Sequence, residues 1–408
     1  MEGRVEADLQ SIAGSTLSSR KIGKDLLEVF IGPQHPGSGH MRIVLEVDGD
    51  IIVRADPDIG YVHRTMEKLS EGREWIKNMP LFERMAILDA GNATLGYMLA
   101  LEKLLGIEAP PRARYLRTLL CEINRIASHL YGLGIFSIMI GHSTMYMWFY
   151  GDREVMVELA EMLTGQRLTH SYYLPGGVRR DIPQKFFEEA EKGLRYIERR
   201  MREYEAMFLK NPVVVSRLEN VGVLGREEAI RLGVVGPNLR ASGVEHDVRV
   251  EEPYAAYNEV DFEVPVYREG DALARTMQRL DEIRESIKII RQILKALPQG
   301  PLIAEKYQRF FTKIMKQVLE KEGRVKIPTA MLNLKPPKGE AYARVEGGRG
   351  EFYYHIVSDG STKPYRVRVV SPSFRNAILF KYLLPGHRVA DLPAIYGSLD
   401  YFPPGADR

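Results

Sequence analysis

The sequence of 408 residues is long enough for one large domain or for two to three ordinary ones. Its 45% hydrophobic and 27% charged content is that of a globular protein with material for a sizeable core. A formal net charge of +3 with both signs interspersed points away from nucleic acid as a partner, and a single cysteine, Cys121, excludes an internal disulfide and an all-thiolate metal site.

The opening "MEGRVEADLQSIAG" lacks the apolar centre of a secretory signal, so cytoplasmic placement is the default expectation. Residues 1–26 read as an N-terminal arm. "GPQHPGSGH" follows, with His35 and His40 set among prolines and glycines. That composition marks a shaped loop and leaves open a metal site, a phosphate loop or the wall of a cavity. In "MRIVLEVDGDIIVRA" two β-rich runs flank an Asp-Gly pair, the signal of a tight hairpin. His63 and Arg64 stand at the end of this β-rich stretch, 27–74.

A helical texture starts at Leu81. "LFERMAILDAGNATLGYMLALEKLLG" and "ARYLRTLLCEINRIASHLYGL" repeat apolar residues at helical spacing without an internal proline, and "EAPPRA" separates them. On the second helix Cys121, Arg125 and His129 share a face at intervals of four, where the cysteine reads as a small core hydrophobe. "GLGIFSIMIGHSTMYMWFY" is the most apolar stretch. His142, Ser143 and Thr144 interrupt it, so a core helix or loop is expected there and not a membrane span. "QKFFEEAEKGLRYIERRMREYEAMF" and "DALARTMQRLDEIRESIKIIRQILKAL" are further helices, the latter with Arg and Glu one turn apart. A fifth is expected over Ala304–Glu322. After "KPPKG" the pattern returns to strands, with "EGGRGE" as the hairpin turn that presents Arg349. The whole is an α+β layout: a helical core over 75–335, framed by β segments before it and over 336–408, in a single domain from residue 27.

No Walker-type loop and no dinucleotide fingerprint between strand and helix is present, and the nine histidines form no H-E-x-x-H pair. Spacing alone therefore supports an arginine- and histidine-lined polar site on a helical scaffold, and goes no further.

Taken together, "GPQHP", "GYVHRTMEKLSE", "LLCEINRIASHL", "LPGGVRRDIP", "GPNLRASGVEHDVR", "VSDGSTKPYRVRVVSPSF" and "ADLPAIYGSLD" resemble, in order and from about Gly32 to Arg408, the large quinone-site subunit of respiratory complex I. That family shares ancestry and fold with the large subunit of [NiFe] hydrogenases. The resemblance places the first hydrogenase cysteine pair, which follows an E-R dipeptide (here Glu83-Arg84), at Ala86 and Asp89. It places the second pair, which follows S-x-D (here Ser398 to Asp400), at Phe402 and Gly405. Nickel and iron in such sites need thiolates, so hydrogenase chemistry is not expected. The complex I branch holds quinone through a loop histidine, a tyrosine and an aspartate. Here the loop reads Gly39-His40, displaced by one place, the tyrosine position is Ile87 and the aspartate position is Met139.

A branch that has lost the cysteines without gaining the quinone residues is the large subunit of membrane-bound sulfane-sulfur reductase complexes of hyperthermophilic archaea, and the chain resembles that branch. The resemblance implies a peripheral-arm subunit that binds no cofactor itself. A [4Fe-4S] cluster is expected in an adjacent small subunit, other peripheral-arm and membrane subunits as partners, and a location on the cytoplasmic face of the membrane. Electrons would pass to a small acceptor such as polysulfide. The residues implied for chemistry are His35, His40, Arg84 and Asp89, with either histidine as the proton donor. Ile87, Met139, Arg64, Arg349, Asp400 and Phe402 are implied as lining, and Arg84 has the alternative of a structural ion pair. Two other functions stand beside this one: quinone reduction at an altered headgroup site, and a catalytically silent coupling scaffold.

Overall fold

Residues 17–23, 26–35, 39–307 and 334–408 are described by a computed structural model. Four antiparallel strands come first, paired in sequence order: β1 (Leu17–Lys21), β2 (Leu26–Ile31), β3 (Arg42–Asp48) and β4 (Ile51–Asp58). β3 buries Ile43, Leu45 and Val47 and leaves the residues between them half-exposed, the period of two of a one-sided sheet. Asp48 lies opposite Ile51, and Gly49 between them has φ +60°, the conformation for which the Asp-Gly turn was selected. β1 lies within the stretch expected as an arm and pairs along β2, so the sheet starts at Leu17 and not at residue 27.

Six helices follow: α1 (Met66–Glu71), α2 (Met79–Met85), α3 (Ala90–Leu105), α4 (Pro111–Met139), α5 (Ser143–Thr164) and α6 (Phe186–Tyr204). α1 falls within the segment expected as β-rich. Pro80 and Pro111 sit in the first turns of α2 and α4, where their missing N–H costs nothing. Left-handed Gly106 and Gly165 end α3 and α5. The apolar stretch Gly132–Tyr150 is the end of α4, a turn and the start of α5, whose first turn is capped by His142. Among the described residues no helix is long and apolar enough to cross a membrane.

The single helix expected from Leu81 is in fact two. The chain breaks at Ala86 (φ −135°, ψ 61°) and makes a 3-10 turn, Ile87–Asp89, before α3. The break serves Asp89, whose partners include the backbone of a distant hairpin, a demand that helical periodicity does not record. A ribbon of β5 (Tyr173–Leu174) and β6 (Gly177–Val178) precedes α6. Four short helices, α7 (Pro212–Leu218), α8 (Arg226–Arg231), α9 (Pro237–Arg240) and α10 (Val248–Glu251), lead to the long α11 (Ala272–Ala296). The fifth helix expected from the sequence lies, beyond Tyr307, outside the described residues.

The C-terminal part opens with β7 (Gly339–Gly347), β8 (Gly350–Ser358) and β9 (Arg366–Val370), an antiparallel meander. From Pro372 it is helical, against the β-rich expectation: α12 (Pro372–Asn376), α13 (Leu379–Leu383), α14 (Leu392–Leu399) and α15 (Pro403–Asp407). Phe380, Leu384, Leu392, Ile395 and Tyr396 from this helical end pack on the buried face of the first sheet, closing a second core beside the one around α4. The two ends of the chain therefore meet. Asp407 accepts hydrogen bonds from the backbone N–H groups of Gly60 and Val62, both at 2.9 Å.

Behind the β7–β8 turn, α4 and α11 bury a charge network. Arg125 contacts Glu122 and donates to the carbonyls of Glu346 (2.7 Å) and Gly347 (2.9 Å). Arg249 bridges Asp247 and Glu122, and Arg240 bridges Glu282 and Glu346. His129 Nε2 meets Glu282 at 2.9 Å. Against the cost of burial, these arginines hold Glu122, Asp247 and Glu282 below the ordinary carboxylate range, whereas burial raises Glu346 and lowers His129. Three guanidinium groups thus face the carboxylates of Glu122, Asp247, Glu282 and Glu346. Balance of this kind is the condition for charge in a dry interior.

At the edge of the network His246 stands between Glu351, 3.6 Å from Nε2, and Glu251, 2.6 Å from Nδ1. Glu351 and then Glu251 pull its imidazole up to about 9 against burial. The unfolded imidazole titrates near ~6.5, so the stabilisation is complete below that pH and is lost as pH rises through 9. Unfolding measured from pH 6 to pH 10 is expected to show this decline in the native chain and to lack it in His246→Gln.

Candidate functional site

Two distant segments converge where α2 gives way to α3 and where α14 gives way to α15. Ala86 and Asp89 come from the first junction, Phe402 and Gly405 from the second. All four line one small cavity of about 10 Å3, together with Arg349, Phe352, Ser371, Pro372 and Ser373. These four are the positions at which the family resemblance puts the thiolates of the hydrogenase relatives.

Asp89 is buried. Its carboxylate accepts from Asn92 Nδ2 (2.7 Å) and from the backbone N–H of Gly348 (2.8 Å). Gly347 lets the hairpin come this close, since a Cβ there would lie 2.5 Å from Asp89 Oδ2. Burial raises the Asp89 carboxyl above the ordinary range, and Asn92, Arg125 and the other hydrogen-bonding and charged neighbours only partly oppose it. Arg349, at the tip of the hairpin, donates to Ser128 Oγ (2.7 Å), to the Asp400 carbonyl (3.1 Å) and to Asp400 Oδ1 (2.9 Å). Three of the five N–H donors of a guanidinium are spent in this way, and its central carbon lies 5.3 Å from the centre of the Phe402 ring. Asp400 itself takes a left-handed backbone (φ 51°, ψ 46°) that ends α14 and turns the chain back toward the cavity.

The structure thus brings together Asp89, Arg349, Asp400 and Phe402, and it separates the other residues implied for the site. Arg84 is exposed: it donates to the Pro80 carbonyl (2.9 Å) one turn back, while Arg64 donates to the Arg84 carbonyl (2.6 Å). Both sit on the outer rim because helix α2 turns Phe82 and Met85 inward and Arg84 out. Neither Arg64 nor Arg84 has a carboxylate partner among the described residues, so the structural ion pair considered for Arg84 is not formed within them. Ile87 points to the other side of the 3-10 turn, into a separate small cavity with Asn124, Arg153 and His170. Met139 packs at the end of α4 against α14, with its sulfur 3.3 Å from the place a Cβ on Gly397 would take.

Neither His35 nor His40 is among the residues that line the cavity. His35 is half-buried and His40 is exposed with φ 75°. An added Cβ on Gly39 would come 2.8 Å from the Tyr396 hydroxyl and 3.5 Å from Pro403, so this end of the loop rests on α14 and on the start of α15. His63 serves the chain's end, with Nδ1 2.5 Å from the Asp407 carbonyl. Cys121 is core as expected, 3.6 Å from the Tyr173 hydroxyl, and burial pushes its thiol up to about 12.

Sequence reasoning missed Ser371 and Ser373. Both belong to "SPSF", a pattern that contributes to the family resemblance yet says nothing by itself about a cavity. Ser371 Oγ donates to the Gly405 carbonyl (2.5 Å) and Ser373 Oγ accepts from Phe402 N–H (3.2 Å). The donor set does not fit nickel and iron: one carboxylate already engaged by two hydrogen bonds faces an alanine, a phenylalanine and a glycine. Among the described residues no group of three metal-ligating side chains occurs.

The sequence profile of the family described as respiratory-chain NADH dehydrogenase, 49 kDa subunit, matches residues 139–408. The corresponding NADH-quinone oxidoreductase subunit of Syntrophobacter fumaroxidans is 40% identical over 388 residues, which cover 95% of this chain and 98% of that protein. Its counterpart in Carboxydothermus hydrogenoformans is 40% identical over 375 residues, 92% and 96% of the two chains. A chain of the membrane-bound sulfane sulfur reductase, an archaeal respiratory membrane complex, superposes with a TM-score of 0.86 at 38% identity, covering 95% of this chain and all of that one.

Removing Arg349 leaves the buried Asp400 carboxylate only its longer pairing with Arg279, at 3.9 Å. Arg349→Ala is expected to cost about 3–5 kcal/mol, measured by denaturant unfolding. Arg84→Ala, which removes one exposed hydrogen bond, is expected to leave the midpoint within about 0.5 kcal/mol of the native value.

Proposed function

The chain belongs to the 49 kDa subunit family of respiratory-chain NADH dehydrogenases, and from that premise we propose that it is the acceptor-site subunit of a complex I-like, ion-translocating oxidoreductase. Partner subunits hold it at the cytoplasmic face of the membrane. Electrons arrive from a [4Fe-4S] cluster in a neighbouring iron–sulfur small subunit and pass to a small sulfane-sulfur acceptor, a polysulfide. The chain works in the complex and is not a hydrogenase.

The observation that carries this reading is the meeting of Ala86, Asp89, Phe402 and Gly405 around one cavity whose polar lining is Asp89, Arg349, Ser371 and Ser373. A carboxyl that burial holds above its ordinary range, beside a guanidinium at a cavity, favours chemistry over a silent scaffold. At about 10 Å3 the cavity takes a single water-sized group, so a polysulfide chain or a quinone ring lies at its edge. There Phe402 is half-buried, and the partner's surface completes the pocket. The uncommitted N–H groups of Arg349 favour negative charge developing on sulfur. His35 and His40, in the loop beside Pro403, supply protons at the rim.

The similarity at TM-score 0.86 to a chain of the sulfane sulfur reductase complex supports sulfur as the acceptor. So does the absence of a phenol at Ile87 and of a carboxylate at Met139. A second reading, a quinone acceptor, is favoured by the 40% identity to NADH-quinone oxidoreductase subunits.

In the purified anaerobic complex, with reduced ferredoxin or a dye as donor, turnover is expected with a soluble trisulfide or polysulfide and not with a short-chain quinone. Quinone turnover alone would reverse the assignment, and activity with neither would leave the scaffold. His40→Ala is expected to lower turnover with assembly intact, and unchanged turnover would remove His40 from the reaction.

A further inference from the structure

The sheet of β7, β8 and β9 has two edges, and the chain treats them differently. At β9 the edge is closed: Glu67 on α1 accepts from the Val369 N–H (2.8 Å), and Arg408 donates to the Val369 carbonyl (2.6 Å). At β7 closure is seen only next to the turn. There the Glu346 N–H donates to the Tyr254 hydroxyl (3.0 Å) and the Glu346 carbonyl accepts from Arg125 (2.7 Å). Both backbone groups of Glu346 therefore point away from β8, which makes Glu346 and Glu351 a pair without mutual hydrogen bonds. Such pairs alternate along an antiparallel ladder, and the register holds without a shift to Gly339. The N–H and C=O groups of Arg344, Tyr342 and Glu340 thus point outward too. The far end of the ladder agrees: Val357, opposite Glu340, turns its carbonyl to the β9 side, where it accepts from the Tyr365 N–H (2.9 Å). Among the described residues, none is hydrogen-bonded to the outward backbone of Glu340, Tyr342 or Arg344.

An open edge is a liability that folds blunt with proline, a bulge or a short strand. β7 has nine residues, no proline and no bulge. A groove of about 1070 Å3 lies beside it, with walls from Ala343 and Arg344 of β7, Leu99 and Lys103 of α3, and Pro253 and Ala255 after α10. The cations of this groove are already matched. Lys103 and Arg344 both meet Glu252, at 3.2 and 3.0 Å, Arg114 meets Glu259 at 2.7 Å, and Arg117 meets Glu102 at 2.5 Å. What remains on offer is apolar wall and a row of backbone donors and acceptors at every second residue. The complement of that row is another backbone in extended form.

We propose that β7 is a docking edge, to which an extended segment of a partner subunit adds as a fourth strand through the outward backbone groups of Tyr342 and Arg344. Membership of a family of respiratory-complex subunits supplies such a partner. From Glu340 to Arg344 the edge runs ~14 Å, room for a strand of about five residues. Main-chain hydrogen bonds hold the segment, and the apolar walls receive its alternate side chains. The groove shares no lining residue with the cavity of Asp89 and Phe402, so docking here serves assembly whichever acceptor is reduced.

A cryo-EM map of the assembled complex tests the edge directly. It is expected to show a partner strand ~4.8 Å from β7, hydrogen-bonded to Tyr342 and Arg344. Solvent along the edge, or a segment of this same chain on it, would overturn the proposal. Tyr342→Pro removes one outward N–H and no bond between β7 and β8, and proline is tolerated at edge positions of this kind. It is expected to weaken retention of the partner by about tenfold, while Tyr342→Ala, which keeps the N–H, costs less. Equal losses would assign binding to the ring and sink the added strand. Hydrogen exchange reads the edge without any substitution. The Tyr342 and Arg344 amides should exchange slowly in the complex and fast in the free full-length chain, and fast exchange in both would also count against docking.

Discussion

The site depends on how α4 holds the β7–β8 turn. Arg125, with no exposed surface, donates to the carbonyls of Glu346 and Gly347, while Asp89 accepts from the next backbone N–H, that of Gly348. An arginine in a dry interior is costly unless most of its donors are used and its charge is matched. Glu122, Asp247 and Glu282 supply that match for Arg125, Arg249 and Arg240. Because none of these groups can relax alone without stranding another, the hairpin tip has one position. That position sets Arg349 against Asp400 and gives Asp89 its hydrogen bond.

The rest of the cavity comes from closing the chain on itself. The first sheet buries Ile43, Leu45 and Val47 against the helices that end the chain. Asp407 then ties the last helix to the backbone at Gly60 and Val62. Phe402, Gly405 and the serines of α12 are thereby set opposite Ala86 and Asp89, more than three hundred positions away along the chain for Phe402 and Gly405. Apolar burial supplies the driving force for this closure. The buried polar groups fix its register, since their hydrogen bonds are lost on small displacements.

Within one fold, then, chemistry changes by exchange of a few side chains at a fixed meeting point. Thiolates at four corners hold metal. With Ala86, Asp89, Phe402 and Gly405 at those corners the same meeting point becomes a nearly filled pocket that offers one carboxyl and no thiolate. On one side of it Phe402 is half-buried, and Gly39 rests on Tyr396 and Pro403.

Local pattern reports what neighbours in sequence decide. The alternation of β3, the Asp-Gly turn at Gly49, the glycine-rich tip that presents Arg349 and the long helices α4, α6 and α11 were all legible, because each is set by side chains a few positions apart. Order of motifs along the chain added the family and the four corner positions. It was silent on direction. Arg84 and Ile87 stand within three residues of Ala86, yet they leave the cavity on two other sides, Arg84 on the outer face of α2 and Ile87 across the 3-10 turn. That turn, the service of Ser371 and Ser373, and the pairing of Arg349 with Asp400 depend on contacts between segments far apart in sequence. So the amino-acid sequence by itself determined the hairpins and the long helices, the family and the absence of the thiolates. Only the tertiary structure decided which side chains share the pocket, because burial and ion pairing are properties of the packed interior and not of any single stretch of chain.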